Sequence, residues 1–386
     1  MKILRIYSEE LERQVFPIPR ESPVRQSHGR TYELIGHEEQ KSTALHFLIR
    51  AKTNQFSERI KKFDKFFEKN KHHRHKVTDT DIVEQYFMYS KLITDAAIHE
   101  IPQYEILLCT CSHSASPRIT RAANVTQCIV DECGMCTEPE TLIPLTSHKP
   151  KQVVLIGDHK QLRHIVKQPK AKELGLEISL FERYEKKAIL LNMQYRMHRG
   201  ICNFPSRHFY DGRLITSDKI QVNHESSDHN IIRMIWPNKD RPVVFHHVEG
   251  AEKSLVITSS NGHEASKSNS AERDHAVRIF AHLVHFCEVP KDKVTILSQY
   301  RAQCSEITRK LEDDGFKRPN VSTVIASQGA EWDYVILSTV RSMPVHEIER
   351  HPTFGWMKIN LGFITDENQI NVALTRAKKG LIIIGE

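Results

Sequence analysis

Two stretches of the sequence decide the fold: Thr126-Gln-Cys-Ile-Val-Asp-Glu132 and Gln152-Val-Val-Leu-Ile-Gly-Asp158. Each is a short apolar run that ends in acidic residues or glycine, and a helix-length segment separates the two. Short apolar strands that alternate with helices are typical of a parallel sheet with crossover connections. Because open parallel sheets bind ligands at the carboxyl ends of their strands, we predict that these strand ends belong to a functional site.

The same alternation continues on both sides of these two stretches. The further short apolar runs lie at residues 2–7, 105–109, 294–297, 335–339 and 381–384. We predict that all of these runs are short buried strands, since helix-length segments separate them as well. The sequence therefore predicts an α/β fold with two domains, residues 1–192 and 193–386.

Two segments of the second half have patterns of their own. A helix is predicted over residues 269–286, where Asn269 and Glu272 have the spacing of a capping box. Residues 216–268 are polar and contain Ser-Ser-Asn-Gly at 259–262. We therefore expect loops and a few edge strands in that stretch.

Residues 44–97 have apolar positions at helical spacing and are predicted to form an inserted hairpin of two helices. This hairpin is strongly basic: residues 59–76 hold eight Lys or Arg against two acids, which is +6 of the total formal charge of +7. Such a charge indicates either a solvated helix face or a surface that faces phosphates. Three histidines at the tip, residues 72, 73 and 75, could bind a metal, but no acid or cysteine accompanies them, which favours a solvated tip.

The composition excludes several classes of protein. Of the 386 residues, 39% are hydrophobic, which is enough to bury a core and argues against global disorder. No apolar run approaches the roughly 18 residues of a membrane span, and the charged start is unlike a signal peptide. The eight cysteines are irregularly placed, as is typical of a reducing compartment. We therefore expect an intracellular protein of the nucleus or cytoplasm with no membrane partner.

Polar motifs follow the predicted strands in a fixed order. In chain order they are Asp131-Glu-Cys-Gly, Gly157-Asp-His-Lys-Gln-Leu, Gln194-Tyr-Arg-Met-His, Ser327-Gln-Gly-Ala-Glu and Asn371-Val-Ala-Leu-Thr-Arg-Ala-Lys. Through this ordered set the sequence resembles superfamily 1B helicases of the nonsense-mediated-decay type over nearly its whole length. Residues 173–184 and 356–371 resemble more closely the C-terminal helicase module of one member of that family.

The resemblance implies two RecA-like domains that hydrolyse ATP with Mg²⁺. Asp131 would hold the metal, and Glu132 would polarise the attacking water. Gln161 would sense the γ-phosphate, while Arg196 and Arg376 would neutralise charge on the transferred phosphoryl group, a role that suits the forked guanidinium. The other implied nucleotide-binding positions are Tyr195 on the adenine, and Gly157, Asp158, Gly329 and Glu331 near the nucleotide.

The resemblance also implies single-stranded nucleic acid as the partner, with RNA favoured over DNA. Hydroxyls and backbone amides would position phosphates without reading sequence. The implied contacts are Thr110, Ser112, Tyr300, Arg301, Ser322 and Thr323 and, on the basic hairpin, Lys61, Lys62, Lys65 and Lys69. By analogy with one member of the family, nuclear-receptor coactivator complexes are further candidate partners.

The cysteines allow a different interpretation. Cys109 and Cys111, together with Cys133 and Cys136, have the spacing of zinc-ligand pairs. Cys133 directly follows Glu132, however, so a zinc ion there would compete with the nucleotide. Small buried apolar side chains are the simpler interpretation of these residues.

A phosphate-binding loop of the form Gly-x-x-x-x-Gly-Lys-[Ser/Thr] does not occur in the sequence, because none of the 15 glycines is followed by lysine. The family carries this loop upstream of the segment that begins at Lys2, so we expect a first domain that is N-terminally incomplete. Two functions remain open: a fragment of an ATP-dependent helicase that is inactive alone, or a non-catalytic nucleic-acid-binding or coactivator module.

Overall fold

The computed structural model describes residues 1–16, 41–70, 79–220, 235–236, 242–259, 262–343 and 345–386. They form two compact units. Unit 1 consists of Met1–Gly157 and Ile165–Arg183, and unit 2 consists of Asp158–His164 and Tyr184–Glu386. The loop 158–164 therefore belongs to unit 2 although it follows a strand of unit 1 in the sequence.

Unit 1 is an α/β unit whose described strands pair in parallel, β1 with β2 and β3 with β4. The strands are β1 (Ile3–Arg5), β2 (Ile106–Leu108), β3 (Gln127–Val130) and β4 (Gln152–Leu155). The helices are α1 (Glu9–Val15), α2 (Leu45–Leu48), α3 (Ser57–Asn70), α4 (Asp79–Glu100), α5 (Cys111–Ser114), α6 (Pro117–Thr120), α7 (Glu138–His148), α8 (Pro169–Glu173) and α9 (Leu180–Arg183). The parallel pairing predicted from the two deciding stretches is confirmed.

The two helices predicted for the basic hairpin are present as α3 and α4, but the first predicted helix is interrupted after α2. The buried side chain of Asn54 stabilises the intervening turn, since its Oδ1 accepts from the backbone N of Phe56 at 3.0 Å and its Nδ2 donates to Glu100 Oε2 at 2.8 Å. Side chains of β1, α2, α3 and α4 share one core that includes Leu4, Leu45, Ile60, Phe67, Ile93 and Ala97. The predicted histidine tip lies outside the described residues.

The strands β3 and β4 are more exposed than predicted. Ile129 is 63% exposed and Val154 is 50% exposed. Within the described part of the chain, β3 and β4 pair only with each other, so both are edge strands. Parallel strands become fully buried only when layers cover both faces of a sheet. The prediction of short buried strands is therefore wrong for this pair.

Unit 2 is built on a five-stranded parallel sheet in the order β11-β10-β12-β13-β7. Its strands are β5 (Met193–Gln194), β6 (Ile215–Thr216), β7 (Val243–His247), β8 (Glu252–Ser259), β9 (Gly262–Asn269), β10 (Val294–Ser298), β11 (Val321–Thr323), β12 (Trp332–Ser338) and β13 (Ala377–Gly385). Its helices are α10 (Arg199–Phe209), α11 (Ser270–His285), α12 (Arg301–Asp313), α13 (Phe354–Leu361) and α14 (Glu367–Leu374). The central residues Ile296, Ile336 and Ile382 face one another in register and are fully buried.

The described part of residues 216–268 contains the edge strands that the sequence predicts. The strands β8 and β9 form an antiparallel hairpin with eight residues in each strand. In the described part of this segment β7 is the edge strand of the five-stranded sheet, and β8 and β9 pair only with each other. The expectation of loops and a few edge strands is therefore confirmed for the described residues.

Helix α11 confirms the helix predicted over 269–286, but only half of the capping box forms. Asn269 Oδ1 accepts from the backbone N of Glu272 at 3.2 Å. The backbone N of Asn269 donates to Gln303 Oε1 at 2.9 Å, and Glu272 instead accepts from Ser338 Oγ at 2.6 Å and Val340 N at 2.8 Å.

None of the described helices is both long and apolar enough to cross a membrane.

Candidate functional site

The first candidate site is the turn that follows β3 in unit 1. Asp131 and Glu132 are both exposed there. Glu132 has a left-handed backbone with φ of 52°, and its N donates to Asp131 Oδ1 at 3.0 Å. The sharp turn therefore presents two carboxylates directly after a parallel strand, as the sequence predicts.

Gly157 packs this turn against the end of β4. The backbone N of Cys133 donates to Ile156 O at 2.8 Å. A Cβ atom at Gly157 would lie 2.8 Å from the N of Gly134, which is closer than real Cβ contacts come. Glycine is thus required at this position, and the two predicted strand ends are neighbours within unit 1.

The donor set of this turn fits Mg²⁺. Proteins usually bind Mg²⁺ through one or two carboxylates, and the phosphates of the substrate and water complete the shell. Asp131 and Glu132 offer hard oxygen ligands of that kind. Among the described residues, no group of three or more His, Cys, Asp or Glu is arranged to hold a metal ion. Asp131 and Glu132 alone do not complete the ligand shell of Mg²⁺, so its binding there would require a phosphate-bearing ligand as well.

The neighbouring cysteines have the environment of protonated thiols. Cys133 is buried, with its Sγ 3.7 Å from Thr141 Oγ1. Burial, with Cys111 nearby, raises the pKa of Cys136 to about 12. Such thiols pack as small apolar side chains, which favours the packing interpretation over zinc ligation.

The second candidate site is the loop 158–164 of unit 2, which Asp158 organises. Its Oδ1 accepts from Lys160 N at 2.9 Å. Its Oδ2 accepts from Gln161 Nε2 at 3.0 Å and from the hydroxyl of Tyr210 at 2.6 Å. Burial raises the pKa of Tyr210, so the hydroxyl keeps its proton and donates it to Asp158.

Helix α14 holds the same loop through two asparagine side chains. Asn368 Nδ2 donates to the carbonyl oxygens of His159 at 2.9 Å and Gln161 at 2.5 Å. Asn371 Nδ2 donates to Lys160 O at 2.8 Å. The backbone of the loop is therefore fixed to the helix that precedes Arg376.

The structure brings the predicted residues Gln161 and Arg376 together within unit 2. Arg376 is 1% exposed, and its Nη2 donates to Gln161 Oε1 at 3.3 Å. Its Nε donates to Val372 O at 3.0 Å and its Nη1 to Ala330 O at 3.2 Å. All three guanidinium nitrogens thus have protein acceptors in this conformation.

Arg196, the other predicted arginine, lies beside a carboxylate. Its Nε donates to Glu331 Oε2 at 2.6 Å, and Lys378 Nζ lies 2.7 Å from Glu331 Oε1. The hydrogen bond from Lys378, with the contribution of Arg196, lowers the pKa of Glu331. Glu331 therefore stays ionised and ties together three of the sequence motifs.

The remaining nucleotide-binding candidates of unit 2 are open to solvent. The ring of Tyr195 is 61% exposed, and its hydroxyl lies 3.1 Å from Met193 Sδ. Gly329 has a φ of +72°, and no atom lies within 4 Å of the position of a Cβ there. An exposed ring suits stacking on a base, and the role of Tyr195 stays a prediction.

The predicted nucleic-acid contacts lie at strand ends in both units. In unit 1, exposed Thr110 caps α5 by accepting from His113 N at 3.3 Å, and Ser112 is exposed. In unit 2, Ser322 and Thr323 end β11, where Thr323 faces Ser298 of β10.

The two predicted contacts after β10 differ in exposure. The ring of Tyr300 is only 6% exposed and packs on Phe363, so it is not presented to solvent, whereas Arg301 is exposed. An RNA contact through the side chain of Tyr300 would need a different conformation. Both contacts stay predictions.

The predicted lysines lie on α3 of unit 1. Lys62, Lys65 and Lys69 are exposed, whereas Lys61 is half-buried with its Nζ 3.8 Å from Glu58 Oε1. Asp64 of the same helix pairs internally with Arg50 at 2.7 Å. One of the two acids counted against the basic stretch is therefore already neutralised.

The sequence did not predict a site role for four residues of these sites: Tyr210, Asn368, Asn371 and Lys378. Asn371 and Lys378 were recognised only as members of a motif. The spacing of Asn368 and Asn371 on one helix face was a usable signal. Tyr210 gave none, because its partner Asp158 is 52 positions away in the sequence.

Comparison with known proteins identifies the family. Family models described as AAA domain match residues 1–169 and 176–386. The chain belongs to these AAA-domain helicases of superfamily 1, and its two α/β units with parallel sheets have the expected RecA-like fold class. The resemblance drawn from the motifs is confirmed.

Individual relatives agree with this assignment. The chain is 40% identical to the 3'-5' exoribonuclease HELZ2 of Homo sapiens over 100% of this chain and 13% of that protein. It is 34% identical to the Regulator of nonsense transcripts 1 homolog of Neurospora crassa over 76% of this chain and 26% of that protein. It is 32% identical to the ATP-dependent helicase NAM7 of Saccharomyces cerevisiae over 77% of this chain and 29% of that protein. The chain thus spans less than a third of each of these relatives.

Solved structures of helicases also match, at low similarity. The C-terminal domain of a possible DNA helicase from Lactobacillus has 15% identity and a TM-score of 0.26, over 50% of this chain and 87% of that chain. Arterivirus nonstructural protein 10 (helicase) has 12% identity and a TM-score of 0.28, over 73% of this chain and 42% of that chain. These scores are too low to add to the argument.

Proposed function

We propose that this chain is the motor part of an ATP-dependent helicase that acts on single-stranded nucleic acid, with RNA favoured. The observation that carries the proposal is the contact between Gln161 and Arg376 in unit 2, with an Oε1–Nη2 distance of 3.3 Å. A glutamine that touches an arginine of this kind can couple the state of a phosphate to the position of the arginine. The family of the chain and its ATP-dependent relative support the same function.

The residues would divide the chemistry as follows. Asp131 would hold Mg²⁺, and Glu132 would orient and deprotonate the attacking water. Bound Mg²⁺ would neutralise charge on the phosphate oxygens. Arg196 would exchange its contact with Glu331 for the transferred phosphoryl group, since an exposed ion pair of this type costs little to break.

The decisive experiment replaces Glu132 by Gln in the longest natural protein that contains the chain. We expect nucleic-acid-stimulated ATP turnover to fall by about 10²- to 10⁴-fold, the usual contribution of a general base, with ATP binding retained. The matched control is Glu173→Gln, an exposed carboxylate of unit 1 that pairs with Lys170 and belongs to no predicted site. Turnover within a few-fold of the parent for Glu132→Gln contradicts the proposed mechanism.

The second candidate function is a non-catalytic nucleic-acid-binding module. One observation favours it: the guanidinium nitrogens of Arg376 are engaged by protein acceptors. This function predicts salt-dependent binding of single-stranded RNA by the 386-residue chain without hydrolysis. Measured ATP turnover by the same chain excludes it.

A further inference from the structure

Helix α10 of unit 2 presents an unusual exposed face. Its buried side, Ile201, Cys202, Pro205 and Ser206, packs into the unit, and its exposed side carries Arg199, Asn203, Phe204, Arg207 and His208. The helix contains no acidic residue. An exposed helix face normally mixes both signs of charge with polar residues. Here a basic face carries a large aromatic ring instead.

Phe204 is the centre of that face. Its ring is 54% exposed and stacks on the ring of His208, with centroids 5.2 Å apart and planes at 13°. The stack keeps the Phe204 ring in a defined orientation. His208 covers one face of the ring, and the exposed remainder is available to a second flat ring from outside.

A groove runs along the same helix. It has a volume of about 360 Å³ and is lined by Arg199, Cys202, Asn203, Ser206, Arg207, Gly212, Leu214 and Thr216. Within the described part of the chain, Arg207 has no ion-pair partner. Asp211, the nearest acid in sequence, does not line the groove and pairs with Arg213 at 3.1 Å. The lining of the groove thus contains two arginines and no acid, which gives the groove a net positive charge.

We propose that the α10 groove, together with the exposed ring of Phe204 on the same helix, is a second binding site for single-stranded nucleic acid, in which phosphates contact Arg199 and Arg207 and a base stacks on Phe204. The two arginines are eight residues apart, or about 12 Å along the helix axis, which is enough to reach separate phosphates. Positive grooves with exposed aromatic rings are the common solution for binding single strands. None of these residues belongs to the strand-end contacts of the proposed function, so the site goes beyond it.

The alternative occupant is an acidic peptide, which the observations favour less. An acidic peptide would use the two arginines but has no need of a flat exposed ring beside an unpartnered amide. Phe204, with Asn203 next to it, offers a stacking surface and an amide that can reach the edge of a base. The test must therefore separate stacking from simple charge.

The experiment measures binding of a labelled 12-nucleotide oligouridine to the 386-residue chain by fluorescence anisotropy at several salt concentrations. We expect Phe204→Ala to weaken binding at least about fivefold, the lower limit for one stacked base, and Phe204→Tyr to retain it. We expect Arg199→Gln with Arg207→Gln to reduce the salt slope by about 1.4, which corresponds to two phosphates on a single strand. Arg213→Gln, an exposed arginine outside the groove, is the matched control.

Two results would overturn the site. One is binding by Phe204→Ala and by the double arginine variant within twofold of the parent, while Arg301→Gln on the proposed strand path loses affinity. The other is oligoglutamate that competes as well as oligouridine with no effect of Phe204→Ala, which identifies a general anion surface. A photo-cross-link between 4-thiouridine RNA and the peptide that contains Phe204 supports the site directly. Cross-links to other peptides without one to this peptide count against the site. ATP turnover with Glu132→Gln tests the proposed function separately.

Discussion

The two units hold the polar residues at their strand ends in opposite ways. In unit 2, Ile336 on the central strand is fully buried, and Ser338 at the end of that strand donates to buried Glu272 at 2.6 Å. In unit 1, Ile129 is 63% exposed, and Asp131 and Glu132 after the same strand face solvent. The comparison indicates that unit 2 buries the polar residues at its strand ends in a packed core, while unit 1 presents its carboxylates on strands that contribute little packing.

The largest expected effect comes from the same truncation in both units. Ile336→Ala should lower the free energy of unfolding of unit 2 by about 2–5 kcal/mol, because it leaves a cavity in a closed core. Ile129→Ala should change the stability of unit 1 by no more than about 0.5 kcal/mol, because the side chain is mostly in water already. Urea denaturation of both variants measures the difference. Equal losses would break the comparison.

The next effect compares the buried carboxylate of Glu272 in unit 2 with the exposed carboxylate of Glu132 in unit 1. Burial raises the pKa of Glu272 to about 7 from an ordinary 4.5, so ionisation is disfavoured in the folded state. The contribution of Glu272 to the free energy of unfolding is therefore fully present below about pH 4.5. It falls by about 3 kcal/mol as the pH rises from there to about 7. Glu272→Gln should remove that part of the profile, since its Oε1 can accept from Ser338 and Val340.

The exposed carboxylate is the control for this prediction. Glu132→Gln should leave the free energy of unfolding within about 0.5 kcal/mol of the parent. The difference between each variant and the parent, measured by urea denaturation from pH 5 to 8, isolates the single group from the other titrating residues. Parallel profiles for the parent and Glu272→Gln would show that the buried network does not control the pH dependence.

The smallest effect tests whether the hydroxyl of Tyr210 holds the loop 158–164 in place within unit 2. Tyr210→Phe removes a hydroxyl that donates to Asp158 at 2.6 Å and accepts from Asn371 at 2.9 Å. We expect a loss of about 1–2 kcal/mol and faster hydrogen exchange in the loop. Tyr195→Phe, on a ring that is 61% exposed, is the matched control and should change neither quantity. Unchanged exchange in Tyr210→Phe would show that this hydroxyl does not hold the loop in place.

Local patterns in the sequence were enough to predict the order of strands and the position of the motifs. Apolar runs such as 294–297 and 126–130 form strands because side-chain patterning acts over a few residues. The carboxylates at 131 and 132 follow β3 for the same reason. The capping box at Asn269 shows the limit of this reasoning, since Glu272 accepts from Ser338 on a strand 66 positions away.

What the sequence alone determined is therefore the fold class, the parallel strands and the family. The tertiary structure alone determines which polar side chains come into contact. Gln161 contacts Arg376, 215 positions away, and Arg196 contacts Glu331, 135 positions away. The tertiary structure also determines that β3 and β4 are exposed while the sheet of unit 2 is buried. The physical reason is that hydrogen bonds and burial depend on distances in space, which no periodicity along the chain records.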